Sequence, residues 1–513
     1  MKIKPKILMV EDHPENRDKW TRLLKKEGYD VTATGSPQEA CDILKRELFH
    51  LALIDVRLVN NEDRNDTKGL ELCRQIEADI PRIIFTAYPN WEVVQTLTKK
   101  FAESLVDKGV QPEVLLAEIR AVLASSYDVI PKRRFAILTS GGDAPGMNAA
   151  IWSALRTGLA ANVEMFGIND GYQGLLNDNV KKLRWSHVTD TLMTGGTMLG
   201  TARSEDFKDP EKRKIAAKNL VKRHIDGLIV IGGDGSMQGA RELAKTVRDE
   251  EHANLYTIGL PGTIDNDLPG DMSIGASSAV TAAMHEINNM VAPARALKRI
   301  FVCEIMGRHS GFLTLEVGLC VGADAVLLPE ELVVITGNPK TNWHVDMQAT
   351  RSKVENEVRK VAKELELTFA AGKRHAFVLF SEGIRLLTTN EKSKKVWVNL
   401  EEITELLEAQ IREWETEKAE VRSQVIGYPM RGAPPSRFDI HLGTKLGEAA
   451  VEALVKRKTN KMLGWSETKG IIERNFDAVV SESKRAPADK FKDEWQKTVL
   501  LQRKLMKALP KLR

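Results

Sequence analysis

The chain is built on one repeated unit: a short apolar run, then a carboxylate, hydroxyl or glycine turn, then a stretch with helical spacing. Lys6-Ile-Leu-Met-Val10 reads as a buried strand, followed by Glu11-Asp12 and a helical pattern from Pro14 to Lys26. Val31–Thr34, Leu51–Asp55, Arg82–Ala87 and Ser104–Lys108 read as further strands, and Pro37–Glu47, Leu70–Glu77 and Pro112–Ala124 as helices. Strands alternating with helices of this length predict a parallel, doubly wound α/β sheet. Such a sheet collects ligands beyond the carboxyl ends of its strands. Glu11, Asp12, Asp55, Thr86 and Lys108 all fall there, so they are expected to converge on one edge.

Three carboxylates, a hydroxyl and an ammonium in one place repel and desolvate badly without a task. A divalent cation screens them, and an acyl phosphate on Asp55 would accept contacts from Lys108 and Thr86. The first unit, residues 1–128, resembles a response-regulator receiver domain with a flavodoxin-like fold. The resemblance implies an acidic, metal-holding pair at Glu11 and Asp12, a phosphoacceptor at Asp55, a switch hydroxyl at Thr86 and a lysine at Lys108. It also implies a histidine kinase or other phosphodonor as partner. Two positions depart from the family. Leu105 stands where an aromatic switch residue is usual, and Gly109 follows Lys108 where proline is usual. The loop Asn60–Lys68 is long and polar. Residues 129–134 are expected to form a short linker.

The second unit, residues 135–485, opens with the strand Phe135–Thr139 and the glycine turn Ser140-Gly-Gly-Asp-Ala-Pro-Gly-Met-Asn148. Glycines at a strand-to-helix turn let backbone N–H groups approach phosphate oxygens. A second such turn, Gly232-Gly-Asp-Gly-Ser236, ends the strand beginning at Asp226 and holds Asp234. Then comes Pro261-Gly-Thr-Ile-Asp-Asn-Asp267, two carboxylates around an amide just after a hydroxyl. Pro261-Gly262 is expected to end the apolar strand Leu255–Leu260 sharply. One carboxylate could take a proton from a substrate hydroxyl while its neighbour holds a metal or orients the base. Further on, Arg308 in Glu304-Ile-Met-Gly-Arg-His-Ser-Gly311 and Arg431 in the Gly/Pro-rich loop Gly427–Ser436 suit an anionic ligand.

These motifs, in this order and spacing, resemble ATP-dependent 6-phosphofructokinase across most of residues 134–450. The resemblance implies a two-lobed α/β fold that moves the γ-phosphoryl of ATP to the 1-hydroxyl of fructose 6-phosphate, with Mg2+. It makes Asp265 the base, with Thr263 and Asp267 beside it. Arg308 and Arg203 stabilise the transferring group, and Asp234 holds magnesium. ATP lies on Gly141, Tyr172, Arg203, Lys208, Asp234, Gly235, Ser236 and Gly239. The sugar phosphate meets Arg299, Arg422, Tyr428 and Arg431, with Met306, Gly307 and Glu382 around the ring. Residues like Arg299 and Arg422 come from a neighbouring subunit, which implies a homo-oligomer, a dimer or tetramer. Gly235 and Gly262 stand where pyrophosphate-using relatives carry Asp and Lys, which favours ATP. Tyr428 replaces the family's sugar-phosphate histidine, and Trp152 and Thr194 replace arginines of its effector pocket, where Arg156 and Lys373 remain.

Arg351–Glu366 and Leu400–Arg422 read as long amphipathic helical stretches, and residues 486–513 as a basic amphipathic tail. A net charge of +4 over 513 residues gives no reason to expect a nucleic-acid surface. No helix-turn-helix is evident after residue 130. The four scattered cysteines fit a reducing compartment, and no segment reads as a signal peptide or membrane span, so a cytoplasmic location is expected. Beside the kinase stands a reading from another class, a scaffold whose kinase fold binds ligands without turnover; Tyr428 favours it and the full set of transfer residues opposes it. A third reading, a response regulator acting on DNA, lacks that helix-turn-helix and a basic domain, and a kinase for a related ketose phosphate is the alternative within the kinase reading.

Overall fold

The structure, a computed structural model, describes residues 5–47, 49–59, 66–76, 80–87, 102–125, 133–268, 270, 272–338, 342–389, 396–415 and 418–483. Most of the loop at 60–68, the linker residues 129–132 and the tail at 486–513 lie outside them. The chain divides into two compact units. One is Met1–Arg134 with the short segments Leu220–Asp226 and Arg248–Asn254; the other is the remainder.

In the first unit, β1 (Lys6–Val10), β2 (Asp30–Thr34), β3 (Leu51–Ile54), β4 (Arg82–Thr86) and β5 (Ser104–Asp107) form a parallel sheet in the order β2-β1-β3-β4-β5. Successive side chains of a strand point to opposite faces, and this divides the core in two. Leu8, Val10, Ala52, Ile54 and Ile84 pack on one side. Ile7, Met9, Leu51, Leu53, Ile83 and Phe85 pack on the other. Helices Pro14–Lys26, Pro37–Arg46, Lys68–Gln75 and Pro112–Ser125 alternate with the strands, as parallel connections require. Prolines open three of these four helices, where the missing N–H costs nothing.

In the second unit, β6 (Arg134–Ser140), β7 (Glu164–Ile168), β8 (Val180–Lys182), β9 (Ile225–Gly232), β10 (Tyr256–Thr263) and β11 (Ile274–Gly275) belong to the first lobe. The second lobe's sheet takes β12 (Arg299–Ile305), β13 (Ala325–Leu327), β16 (Ala376–Ser381) and β17 (Glu420–Ile426), all parallel, in the order β13-β16-β12-β17. Between them in sequence, β14 (Ile335–Asn338) and β15 (Asn342–Val345) make a separate hairpin. The chain then returns to the first lobe with β18 (Lys461–Ser466) and β19 (Gly470–Asn475), completing the order β19-β18-β10-β9-β6-β7-β8. One apolar core joins the lobes, running from Phe135, Ile229 and Ile258 to Cys303, Leu379 and Ile426.

Two expectations need correction. Pro261-Gly262 does not end β10, which continues to Thr263. Up to Pro261 the strand pairs with β9, and from Gly262 it pairs with β11. Proline's backbone angles suit an extended strand, and its lack of an N–H is tolerated where the ladder changes partner. The stretch Leu400–Arg422 is not one helix. The helix ends at Arg412, and Arg422 lies on the edge strand β17, whose backbone pairs with β12. Tertiary pairing overrides the charged, helix-favouring composition there. All four cysteines are free, and among the described residues no helix is long and apolar enough to cross a membrane.

Candidate active site

Because β10 runs on to Thr263, the two aspartates leave directly from a sheet end. The Asp265 N–H donates to Thr263 Oγ1 at 3.2 Å, which curls the chain back. Asn266 sits in the left-handed region at φ +48 and is buried. Its Oδ1 accepts from Ser273 N at 2.9 Å, and the Ser273 hydroxyl, 3.2 Å from the same oxygen, donates to Thr263 O at 2.6 Å. The amide between the carboxylates therefore nails the loop to the chain entering β11. Asp439, wholly buried, holds the other side of that chain, accepting from Gly275 N at 2.8 Å, Ser278 N at 2.7 Å and Ser278 Oγ at 2.5 Å. Neither Asn266 nor Asp439 was assigned a role from sequence. Ser436-x-x-Asp439 does carry the spacing of a helix-start capping box.

The glycine turns of β6 and β9 are tied together by Ser236 Oγ, which donates to Ser140 O at 3.1 Å. Gly141, at φ +96, makes the first turn possible. Asp234 opens the helix Asp234–Glu251, where its negative charge meets the positive end of the helix dipole. Arg308 Nη1 donates to Asp234 Oδ1 at 3.3 Å, joining the second lobe's motif to the first lobe's turn. Arg308 is itself at φ +52, and a side chain at Gly307 would meet Ser310 O at 2.6 Å, so this turn is tight and strained. Glu382 Oε2 accepts from the N–H groups of Gly307 and Arg308, each at 3.3 Å. Met306, half-buried, packs on the joint core beside them. Arg431 lies along the first glycine turn, its Nη1 donating to Asp143 O at 2.9 Å, and Gly142 leaves it the space.

These charges converge on Asp265. Burial, together with the charge of Asp267, pushes its carboxyl up to about 7 against the pull of Arg431 and Arg308, with Glu382 adding to the rise. Its Oδ1 is buried without a hydrogen-bond partner. An oxygen kept this way, close to guanidinium groups, is placed to receive a proton or a hard cation rather than to stabilise the fold. Asp234 offers the kind of oxygen donor that Mg2+ prefers.

Other expected contacts fall elsewhere. Tyr172 is 5% exposed, donates to Ser236 O at 2.6 Å and stacks on Phe207 at 4.2 Å, so it backs the turn from within. Gly239 is explained by the same packing, since a side chain there would meet the Tyr172 ring at 2.8 Å. Gly235 faces open space, whereas a side chain at Gly262 would strike Ile231 and Met147 of the core. Core packing therefore accounts for Gly262, while Gly235 borders open space. Arg203 and Lys208 are exposed, with Lys208 paired to Glu205. Arg299 starts β12 while Gly307 follows its other end, roughly 20 Å of strand away. Arg299 and Arg422 both pair with Glu420, at the start of the edge strand and opposite the start of β12. Tyr428 is 81% exposed. Of the altered effector positions, Arg156 stacks near Trp152 and Trp185, and Lys373 pairs with Asp324.

The first unit has its own acidic centre. Glu11, Asp12 and Asp55 bring carboxylate oxygens within 4.8 Å of one another. Lys108 Nζ lies 2.6 Å from both Glu11 Oε2 and Asp55 Oδ2, and Asp55 Oδ1 accepts from Val56 N at 2.7 Å. Burial pushes Glu11 up despite Lys108. Burial also works against the Lys108 ammonium, but Asp55 and Glu11 outweigh it and hold its pKa above the usual value. Thr86, fully buried, closes β4, and its carbonyl accepts from Lys108 N at 3.1 Å. A side chain at Gly69 would collide with Asp55 O at 1.8 Å, so helix Lys68–Gln75 begins in direct contact with the Asp55 backbone. Leu105 packs into the core opposite Ile84. The three carboxylates are a suitable donor set for a divalent cation.

Residues 134–454 match the family described as Phosphofructokinase, and residues 7–120 match the Response regulator receiver domain. The ATP-dependent 6-phosphofructokinase of Staphylococcus aureus (strain NCTC 8325 / PS 47) is 36% identical over 348 residues, which are 68% of this chain and 93% of that protein. Among solved structures, phosphofructokinase from Saccharomyces cerevisiae aligns with a TM-score of 0.59 at 29% identity, over 72% of this chain and 50% of that one. The T-state crystal structure of Pichia pastoris phosphofructokinase gives 0.61 at 30% identity, over 73% and 39%. This chain thus spans half or less of those two longer chains. On the match over residues 134–454 and the 36% identical relative, the chain belongs to the phosphofructokinase family, and it carries a response-regulator receiver domain ahead of that match.

Proposed function

We propose that the protein transfers the γ-phosphoryl group of ATP to the 1-hydroxyl of fructose 6-phosphate. The observation that carries this reading is Asp265 Oδ1, buried, unpartnered and set among Asp267, Arg308 and Arg431. Asp265 takes the hydroxyl proton as the sugar oxygen bonds to the γ-phosphorus and the bond to the β–γ bridging oxygen breaks, releasing ADP. Thr263 and Asn266 fix the loop. Arg308, with Arg203, neutralises charge on the moving group, and Glu382 holds the Arg308 turn. The glycine turns at Gly141 and Gly235–Ser236 receive the nucleotide, and Arg431 the sugar phosphate. Asp234 would hold Mg2+, which when bound would supply charge neutralisation on the phosphates. Arg299 and Arg422 complete the sugar-phosphate site of a second subunit in a dimer or tetramer; Arg299 opens β12, at the end of the strand opposite the Gly307 turn.

The domain boundaries that fit this reading are a receiver at 1–128, a linker at 129–134, a catalytic domain at 135–485 and a tail beyond, in a cytoplasmic enzyme. The receiver regulates turnover through an acyl phosphate on Asp55 Oδ2, supplied by a histidine kinase or another phosphodonor. Its oxygens would lie against Lys108 and Thr86, with Mg2+ on Glu11, Asp12 and Asp55. The test is turnover of fructose 6-phosphate with ATP by the purified protein, with and without beryllofluoride and magnesium, beside D55N. Turnover that responds to beryllofluoride in wild type and not in D55N supports both halves. An unresponsive rate removes the regulation. No turnover, with ATP bound, removes the kinase and leaves the scaffold. The exposed Tyr428 favours one further comparison, a related ketose phosphate as acceptor.

A further inference from the structure

The carboxyl ends of β12 and β16 lie side by side, with Ile305 opposite Ser381. Helix Glu382–Leu387 starts at the end of β16, and Arg385 follows Glu382 by three residues, on the same face. Arg385 joins two acids. Its Nε donates to Glu304 Oε1 at 2.9 Å, and its Nη2 donates to Glu382 Oε1 at 3.2 Å. Glu382 turns its other oxygen to the N–H groups of Gly307 and Arg308. Arg308, in its left-handed turn, reaches Asp234. An unbroken run of contacts therefore leads from Glu304 through Arg385 and Glu382 to the Arg308 guanidinium. Gly383 seals the same joint, since a side chain there would meet Arg308 O at 2.9 Å.

We propose that Arg385, which belongs to none of the sequence motifs, is a positioning residue for phosphoryl transfer: it aims Glu382 at the Gly307–Arg308 backbone and so sets the Arg308 side chain. This rests on the kinase reading above. Glu304 is 6% exposed, and burial pushes its carboxyl up while Arg385 pulls it down. Without Arg385, Glu304 is stranded and repels Glu382, which then loses the partner fixing its rotamer. The two backbone N–H groups lose an aimed acceptor, and a turn held at φ +52 has less to hold it. A guanidinium suits the task because its planar fork serves two carboxylates at once, whereas an ammonium serves them as a point charge.

The experiment compares wild type, R385M, R385K and E304Q/R385M as full chains. It reads kcat, both KM values, calorimetric binding of fructose 6-phosphate and of ATP, and Tm. R385M is expected to lose about 10-fold to 100-fold in kcat, with a raised KM for fructose 6-phosphate and an unchanged KM for ATP, as small misplacements of transfer groups do. R385K keeps an intermediate rate. E304Q/R385M regains the Tm lost by stranding Glu304 but not the kcat, a separation that a merely structural role does not give. Should R385M fail to fold, R385K carries the test with the same split at smaller size. Wild-type kinetics in the folded variants, or kcat returning with Tm in the double variant, overturns the proposal. If wild type itself has no turnover, the kinase reading falls separately and binding decides. Weaker fructose 6-phosphate binding with unchanged ATP binding in R385M then supports the positioning role, and equal affinities overturn it.

Discussion

Two acidic centres in this chain solve the same electrostatic problem in opposite ways. In the receiver, Lys108 sits 2.6 Å from Asp55 and Glu11, so the negative charges are answered inside the domain. In the kinase, Asp265 keeps a buried oxygen without a hydrogen-bond partner, and the guanidinium groups of Arg308 and Arg431 are tethered to Asp234 and to the Asp143 carbonyl. The first arrangement is stable until a ligand rearranges it. The second is held ready by its backbone, with Asn266 at φ +48 and Arg308 at φ +52 as fixed points. A charge answered from within suits a switch, and a charge left waiting suits a catalyst.

The contrast is broken most directly at Asp265. D265N is expected to cut kcat by about 1,000-fold or more, in the upper range for loss of a general base, while Tm stays level or rises at pH 8. A fall in Tm would mean that the carboxylate serves the fold. Next in size is Asn266. N266A removes the acceptor for Ser273 and leaves alanine at φ +48, so kcat is expected to fall about 10-fold to 100-fold with roughly 1–3 kcal/mol of stability. Denaturant unfolding beside kinetics checks both.

Smaller effects come from pH. A base raised to about 7 is protonated below that value, so kcat/KM should climb as pH rises through about 7 in low magnesium. The same group makes the native state bind a proton more tightly than the unfolded chain does. Its contribution to stability is therefore complete below the ordinary carboxyl value of 3.8 and is lost progressively as pH rises from there to about 7. A flat profile between pH 6 and 8 would show that Asp265 is not the titrating base. In the receiver, burial holds His50 down at about 4, with Lys6 N donating to its Nδ1 at 2.9 Å. That contribution is complete above pH 6.5 and is lost as pH falls toward 4, about 3 kcal/mol in all. Hydrogen exchange of the receiver strands in wild type and H50N checks it. Last, K108M leaves three carboxylates without their ammonium, so the rise in Tm on adding Mg2+ should exceed that of wild type by a few degrees.

Much of this was legible in the sequence. Each described receiver strand and helix falls within about two residues of its expected bounds, because five buried runs ending on polar residues leave little freedom of register. The convergence of Asp234, Asp265, Asp267, Arg308, Glu382 and Arg431 also follows from strand-end placement. What the sequence hid depends on contacts between distant segments. Pro261-Gly262 reads as a stop, and only β11, pairing from Gly262 onward, turns it into strand. Glu420–Ile426 reads as helix, and only the exposed edge of β12 recruits it as a strand. Tyr172 and Gly239 read as nucleotide contacts, yet each is accounted for by the packing of the other. Asn266, Asp439 and Arg385 act through partners that no local pattern names.

The change of partner along β10 bears on how this chain can drift over time. Tyr256–Pro261 is pinned residue by residue to Gly227–Gly232, and Gly262–Thr263 to Ile274–Gly275. Inserting or deleting one residue within β10 would turn Asp265 to the opposite face while both neighbours stayed in place. Point changes can accumulate along this strand, but its length cannot. Families of such chains should therefore place their insertions in connections such as β14–β15 and leave the distance from Tyr256 to Asp267 alone.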